Sequence, residues 1–303
     1  MVSRSAEPAL GPPVLLRNGD AECEIWPDKG GSIARWAIAG QNMFRTTATG
    51  ARADALPTCM ASFPLVPFSN RIGFGRFDWN GKTIKLKLNA RPEPHSLHGT
   101  GWIARWTATE LTENAVVLSY EHHPDQYWPW HFSAEQHIVI TNDGLTIQMN
   151  ARNLSDRPAP LAFGHHPAFD SEGATLAFNA STVWLSGDEG LPAFAETPNT
   201  AFDFTNGGRV TGRLLDNGYA GWDGKANIRW DNRPRELVII SDMRAAVVYV
   251  PDDESHFCFE PVPHIINALN LPDQQPSMPI VAPGASVASN IQFITSVVIP
   301  KSV

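Results

Sequence analysis

The sequence is poor in charge and lacks a long apolar run. Charged residues make up 18% of the 303 residues, and 31 acidic side chains outnumber 23 basic ones, for a formal net charge of -8. Binding to a nucleic-acid backbone requires clustered Lys and Arg, which the sequence does not show. A membrane-spanning helix requires about 18 or more consecutive apolar residues, and none of that length occurs. The composition predicts a globular protein with neither a nucleic-acid nor a membrane partner.

Cysteine is also scarce. Cys23, Cys59 and Cys258 form an odd set without a CxxC pair, which predicts a reducing compartment and a buried structural thiol at each position. The first sixteen residues carry Arg4, Glu7 and three prolines instead of a continuous apolar segment, so no secretory signal is predicted. We therefore expect a cytoplasmic protein.

Several catalytic signatures are missing. The sequence has no GxSxG elbow, no Walker loop and no GxGxxG, which argues against the corresponding acyl transfer, nucleotide hydrolysis and dinucleotide redox chemistry. The two adjacent histidine pairs, His122-His123 and His165-His166, would point to opposite faces of a strand. A metal site could then form only by assembly with distant residues, and none is predicted. The remaining candidate chemistry is acid–base catalysis by a histidine and a carboxylate.

Short apolar stretches separated by turn residues fill the chain. Gly and Pro together account for 48 residues, the sum of 23 and 25, and long helical patterns are absent. We predict an all-β fold, a large antiparallel β-sandwich in which residues 1–303 form a single domain. The irregular stretch from Asp170 to Gly208 is expected to leave the sheets, and Asn142-Asp143-Gly144 predicts a hairpin turn with a positive φ. The predicted strands are Ile84–Leu88, Ala115–Glu121, Phe132–Thr141, Leu145–Arg152, Leu237–Ser241, Ala246–Val250, Phe257–Glu260 and Ile291–Val298.

Two local clusters admit more than one interpretation. The sequence Tyr127-Trp128-Pro129-Trp130 crowds three large rings together, which fits either a core or a platform that stacks on a sugar. The run Glu121-His122-His123-Pro124-Asp125 is interpreted as a polar strand end that leads into a turn.

Five short segments, read in order, resemble the aldose 1-epimerase family from about Asn18 to the last strand. Each segment alone is weakly specific, but five in the family's order and spacing are strong evidence. The segments are Pro67 to Ile72 with Gly75 and Phe77, then Leu97-His98-Gly99 with Trp102 and Trp106, then Gly164 to Phe169, then Leu215 to Tyr219 with Gly221 to Gly224, and finally Phe257 to Pro261.

The resemblance implies a galactose mutarotase-like supersandwich and a reaction that needs no cofactor. Glu260 would act as general base on the anomeric hydroxyl, and His166 as general acid toward the ring oxygen of an aldose. His98 would donate a hydrogen bond near that oxygen, while Arg71 and Asp216 would bind other hydroxyls. The implied partner is a small-molecule aldose, whose α and β anomers the enzyme would interconvert.

Local sequence alone leaves other interpretations open. Arg71 could form a structural ion pair, Asp216 could simply form the turn before Asn-Gly, and Glu260 could be a strand-end carboxylate. His165 is expected to face away from the site by strand alternation.

Departures from the family pattern bear on substrate preference. Ala168 replaces the tyrosine common after His-Pro, and residues 262–268 differ from those of some members. Two rival functions remain, a hexose-6-phosphate 1-epimerase, which would need a basic phosphate pocket, and a non-catalytic carbohydrate-binding protein of the same fold.

Overall fold

The computed structural model describes residues 11–47, 57–271 and 277–297, and strands dominate in them. Within these ranges the helical structure consists of three-residue 3-10 turns, and no helix is long and apolar enough to cross a membrane. The turns are Pro57–Cys59, Gly73–Gly75, Gly101–Ile103, Asp188–Gly190 and Ala268–Asn270.

The largest sheet has nine antiparallel strands. Burial alternates strictly along its third strand, Phe132–Thr141, where every second side chain from Phe132 to Ile140 is buried. One face of this sheet is therefore in the core and the other faces solvent. In spatial order its strands are β10 (Thr107–Leu111), β11 (Ala115–His122), β12 (Phe132–Thr141), β13 (Gly144–Asn153), β27 (Ser286–Val297), β23 (Arg235–Ser241), β22 (Lys225–Trp230), β17 (Ala174–Phe178) and β20 (Gly208–Arg209).

A second sheet of six antiparallel strands is buried on both faces at its centre. In spatial order its strands are β16 (Ala168–Asp170), β25 (His256–Val262), β24 (Ala245–Tyr249), β21 (Asp216–Ala220), β18 (Thr182–Ser186) and β19 (Pro192–Glu196). Six of the seven residues of β25 are buried, which requires a covering layer on each side.

The two sheets pack face to face through aromatic side chains. The rings of Phe178 on β17 and Phe259 on β25 lie 5.0 Å apart at an angle of 64°. Phe44 bridges the sheets, since its ring lies 5.0 Å from Phe293 on β27 and 5.5 Å from Phe169 on β16. Edge-to-face pairs at such distances are favourable beyond the apolar area they bury. The predicted all-β antiparallel sandwich is confirmed.

Smaller sheets complete the described structure. A four-stranded sheet contains β1 (Val14–Asn18), β2 (Ala21–Trp26), β3 (Ser32–Ile38) and β4 (Gln41–Asn42). The remaining pairs are β5 (Pro64–Leu65) with β15 (Gly164–His165), β6 (Arg71–Ile72) with β9 (Ser96–Leu97), β7 (Arg76–Trp79) with β8 (Lys82–Lys85), and β14 (Ala159–Pro160) with β26 (Ile280–Val281).

A second apolar cluster covers the outer face of the six-stranded sheet. Val247 on β24 and Val262 on β25 pack there against Phe63, Trp102 and Ile266 from the connecting segments. This layer excludes water from residues that a two-layer sandwich would leave exposed, and it creates the setting for buried polar groups.

Several local expectations are corrected by the structure. The hairpin between β12 and β13 forms with Thr141 opposite Gly144, but Gly144 does not take a positive φ. Glycine is needed there because a Cβ would lie 2.9 Å from the carbonyl oxygen of Phe293 on the next strand. The stretch 170–208 does not leave the sheets, because β17, β18 and β19 lie in it.

The structure corrects the prediction for one of the three thiols and decides between the two interpretations of the tryptophans. Cys23 and Cys258 are buried, whereas Cys59 is exposed, so the prediction of three buried thiols is wrong for that residue. Trp128 and Trp130 are at most 1% exposed and belong to the core, which excludes them as a sugar platform.

Candidate functional site

His166 and Glu260 form a contact pair on the outer face of the six-stranded sheet. Along β25, Phe257 and Phe259 point into the sandwich, so Glu260 points outward, beneath the covering layer. The β16–β25 pairing aligns Ala168 with Cys258, and continuing it by two residues aligns His166 with Glu260. His166 Nε2 lies 3.1 Å from Glu260 Oε1, with side-chain exposures of 15% and 1%.

Burial sets the protonation of this pair. It raises the pKa of Glu260 well above its usual value, the charge of Asp216 raises it further, and the charge of Arg71 opposes both. Burial also lowers the pKa of His166 to about 3. Both shifts favour uncharged side chains, and the short contact allows one proton to be shared between them. The pair can therefore give and accept a proton without exchange with solvent.

The imidazole of His166 is held in place by Phe63. The two rings stack with centroids 4.4 Å apart and an angle of 19°, and the His166 backbone N–H donates to the Phe63 carbonyl at 2.9 Å. Glu260 Oε2 and His166 Nδ1 are buried and have no hydrogen-bond partner among the described residues. Such unpaired groups are costly unless a bound molecule satisfies them, which is typical of a binding site.

His98 contributes a fixed donor beside His166. The backbone N–H of Asn70 donates to His98 Nδ1 at 3.0 Å, so in the neutral ring the proton resides on Nε2. Burial lowers the pKa of His98 well below its usual value, and the nearby His166 and Arg71 act in the same direction. The His98 and His166 rings meet edge to face at 5.3 Å. His98 is thus a neutral N–H donor at the acid–base pair.

Arg71 and Asp216 are joined in one charged network. Arg71 Nη1 lies 2.8 Å from Asp216 Oδ2, and Arg71 Nε lies 3.1 Å from Glu93 Oε1. Nη1 also donates to the carbonyl of Gly190 at 3.3 Å. Arg71 Nη2 makes no hydrogen bond to the described residues and remains free to donate to a ligand.

The register connects this network to the acid–base pair. Asp216 on β21 pairs with Tyr249 on β24, which pairs with Cys258 on β25, two residues before Glu260 on the same face. Two strand spacings and two residues along the strand separate the Asp216 and Glu260 Cα atoms by roughly 12 Å. Asp216 and Glu260 therefore lie on one face of the six-stranded sheet, separated by about the length of a small molecule.

The structure thus brings together all five residues singled out in the sequence, and it adds others that sequence reasoning missed. Glu93 holds Arg71, and His95 accepts from the Phe74 N–H at 2.9 Å and contacts the Glu189 carbonyl at 2.9 Å. The dense polar run Glu93-Pro94-His95 just before the His98 segment was the signal available. Tyr249 ends the apolar strand β24, and the sequence gave no signal for it.

Left-handed backbone conformations concentrate around these residues. Five of the non-glycine residues with positive φ lie in or beside the segments that form the site, and such conformations cost of order 1–3 kcal/mol each. They are Asn70, Phe74, His98, Glu189 and Asn267.

His165 lies on the opposite side from His166, as strand alternation predicts. It is fully buried, with Nδ1 2.5 Å from Ser62 Oγ and Nε2 3.2 Å from Gln136 Oε1. These partners hold it in the interior, away from the acid–base pair.

The fold is an all-β sandwich in which a buried histidine–glutamate pair and an arginine–aspartate ion pair lie near one face of the six-stranded sheet. The model of the family described as aldose 1-epimerase matches residues 13–293. The chain therefore belongs to the aldose 1-epimerase family.

One curated protein and two solved structures are similar to most of this chain. An uncharacterized protein of Escherichia coli K12, YphB, is 29% identical over 251 residues, which cover 79% of this chain and 85% of that protein. The crystal structure of a candidate aldose 1-epimerase from Escherichia coli K12 superposes with a TM-score of 0.87 at 25% identity, covering 94% of this chain and 99% of the other. A galactose mutarotase-like protein from Clostridium acetobutylicum shares the fold, with a TM-score of 0.83 at 20% identity and coverages of 94% and 95%.

Proposed function

We propose that this protein is an aldose 1-epimerase that interconverts the α and β anomers of free aldoses by opening and closing the hemiacetal ring. The observation that carries the proposal is the 3.1 Å contact between His166 Nε2 and Glu260 Oε1, where Glu260 is buried and His166 is partly exposed. The two oxygens that exchange a proton in this reaction, O1 and O5, are bonded to the same carbon. An acid and a base that meet at one point can reach both.

Ring opening moves one proton from O1 to O5. In the working form Glu260 is a carboxylate and His166 an imidazolium, so the glutamate accepts the O1 proton while the histidine donates to O5. The C1–O5 bond breaks, C1=O1 forms, and the pair is left as a neutral acid and a neutral imidazole. Burial favours this neutral form, so it stabilises the open-chain complex. Rotation about C1–C2 and the reverse transfers give the other anomer and restore the pair.

The resting neutral pair reaches the working form by an internal step. Passage of the shared proton from Glu260 Oε1 to His166 Nε2 produces the carboxylate and the imidazolium. The positive charge of Arg71, which lowers the pKa of Glu260, favours this transfer. His98 would donate from Nε2 to the ring oxygen as negative charge develops there.

Hydroxyl groups remote from C1 would be bound by the charged network. Arg71 offers Nη2, and Asp216 offers a carboxylate that can accept from a hydroxyl while it holds the guanidinium. An open groove of about 510 Å³ continues past Asp216 and Tyr249 and is lined further by Asn217. It provides room for the end of the sugar that does not react.

The balance of charge favours an unphosphorylated substrate. Arg71 is flanked by the carboxylates of Asp216 and Glu93, so this cation and its partners carry a net negative charge. A phosphate dianion next to them would be repelled, whereas neutral hydroxyls would not.

One observation supports the phosphorylated alternative. Arg45 donates to the carbonyls of Thr58 and Met60, both at 3.1 Å, and contacts His256 at 3.1 Å, without a carboxylate partner among the described residues. Its charge contributes to the lowered pKa of His166, so it lies close enough to influence the site. It could receive an anionic substituent.

Polarimetry tests the proposal. We expect this protein to speed the approach of freshly dissolved α-galactose or α-glucose to anomeric equilibrium, and Glu260→Gln to remove most of the acceleration. A preference for the hexose 6-phosphates would favour the phosphorylated alternative. Sugar binding in a calorimeter without any acceleration would reduce the protein to a carbohydrate binder and refute the proposed activity.

A further inference from the structure

Three potential metal ligands project from the solvent face of the nine-stranded sheet, away from the sugar site. The β11–β12 pairing ends with His122 opposite Phe132, both buried. Continuing this register by one residue sets His123 opposite His131, on the outward face. Glu121, two residues before His123, projects from the same face.

The ligand atoms of these three residues converge. Glu121 Oε1 lies 2.7 Å from His131 Nε2 and 3.7 Å from His123 Nε2. The two imidazole rings have centroids 4.7 Å apart at an angle of 33°. All three ligand atoms lie within 4.8 Å of one another.

These separations suit a tetrahedral zinc ion. Zn–N and Zn–O bonds of about 2.0–2.2 Å place neighbouring ligand atoms about 3.4 Å apart in a tetrahedron. The observed 2.7 and 3.7 Å contacts lie on either side of that value, and rotation of the side chains would bring the three ligand atoms to it. Two imidazoles and one carboxylate with an open fourth position form a donor set that zinc commonly takes.

One ligand is anchored and the others can adjust. The backbone N–H of His131 donates to Ser155 Oγ at 2.8 Å, and its carbonyl accepts from the Leu154 N–H at 2.9 Å. The His123 side chain is 76% exposed and the Glu121 side chain 53%, so few contacts oppose their movement. A fixed histidine with two mobile partners allows the ion to enter from solvent.

We propose that Glu121, His123 and His131 bind one zinc ion, with water in the remaining position. The ion would replace the hydrogen bond between His131 and Glu121, and the neutral His131 ring would bind through Nε2 with its proton moved to Nδ1. It would also tie together the two ends of the loop 124–130, whose Trp128 and Trp130 are in the core. The site is independent of the proposed sugar chemistry.

Calorimetric titration with zinc chloride tests the site. The untagged chain is used with Cys59→Ser as the common background, since Cys59 is an exposed thiol that could bind zinc by itself. We expect one equivalent of zinc to bind. His123→Ala and His131→Ala should each weaken binding by more than about 10-fold.

The matched control is His137→Ala. His137 projects from the same face of β12 and has one carboxylate neighbour, Glu135 at 3.8 Å, but it is not part of the three-residue cluster. Its removal should leave zinc affinity unchanged. Glu121→Gln provides a second test of the site if a histidine variant does not fold. No heat of binding in the parent chain, or binding that survives both histidine substitutions, would overturn the proposal.

Discussion

Glu93, which the sequence motifs did not indicate, is expected to determine how firmly Arg71 holds the substrate. The two charges meet at 3.1 Å with side-chain exposures of 16% and 22%. At an effective dielectric constant of 20 the direct attraction at this distance is about 5 kcal/mol, but desolvation and solvent screening offset most of it. A charge-assisted hydrogen bond of this kind contributes a net 1–2 kcal/mol, by order of magnitude. Glu93→Gln keeps an oxygen acceptor and removes the charge.

The expected result is a change in binding more than in chemistry. Because Arg71 would contact hydroxyls remote from C1, we expect the KM for mutarotation to rise about 5- to 30-fold, since about 1.4 kcal/mol corresponds to a factor of ten. The value of kcat should change much less. Coupled-enzyme or polarimetric initial rates over a range of sugar concentrations measure both. Glu110→Gln, on exposed β10, is the matched control. An unchanged KM, or a fall in kcat as large as that of Glu260→Gln, would refute the reasoning.

Three further predictions concern stability. Because the pKa of Glu260 is raised in the folded state, the protein loses stability as the pH rises from the pKa of the unfolded state toward that of the folded state. Glu260→Gln should therefore have a higher melting temperature than the parent at pH 8 and the same melting temperature near pH 4. Burial lowers the pKa of His165 to about 3 and that of His264 to about 4, whereas both residues take up a proton near pH 6.5 in the unfolded state. Each should therefore lower the free energy of unfolding by about 2 kcal/mol when the pH falls from 7.5 to 5. A free energy of unfolding, measured with urea, that does not change over this pH range would contradict the prediction. Gly99→Ala should lower both stability and the rate of mutarotation, because a Cβ at this position would lie 2.4 Å from the Val66 carbonyl oxygen. Gly40→Ala is the control: its φ is similar and no atom lies within 4 Å of the added Cβ, so it should cost only backbone strain of about 1–2 kcal/mol. Equal losses in the two variants would contradict the clash.

Alternating patterns predicted the central strands well. The predicted strand Phe132–Thr141 has the observed bounds, because its outward face is solvated and its inward face is core, and this contrast is visible in the sequence. The prediction that the stretch 170–208 leaves the sheets was wrong for the opposite reason. There β18 and β19 carry short, mixed sequences whose pairing depends on neighbours far along the chain.

Some residues of the candidate site were likewise predicted from local sequence, and others were missed. His166 and Glu260 were found because short motifs identify them by resemblance, and the structure places them in contact. Glu93 and Tyr249 were missed because their position beside the site depends on sheet register and loop packing. Tyr249 has no local sequence signature, and the polar run around Glu93 does not indicate which residue it contacts. The prediction that residues 1–303 form a single domain stays a prediction.

The substitution pattern around the site bears on substrate choice. Ala168, where the family pattern has tyrosine, pairs with Cys258 in the same row as Tyr249 and Asp216. Ala168 is buried at one end of this row, and Tyr249 stands beside Asp216 toward the other end. Testing a panel of pentoses and hexoses against Tyr249→Phe would show whether that phenol selects among hydroxyl configurations; an unchanged ranking of the sugars would exclude this role.

The most direct measurement of the central claim is a double-mutant cycle on mutarotation, with Glu260→Gln, His166→Asn and the double variant compared by polarimetry. Two groups that act as one proton-sharing unit lose their function together, so each single change should cost about 10²- to 10⁴-fold and the double change little more than the larger single one. Losses that multiply, or rates that survive either substitution, would show that the two side chains do not act on the sugar as a pair.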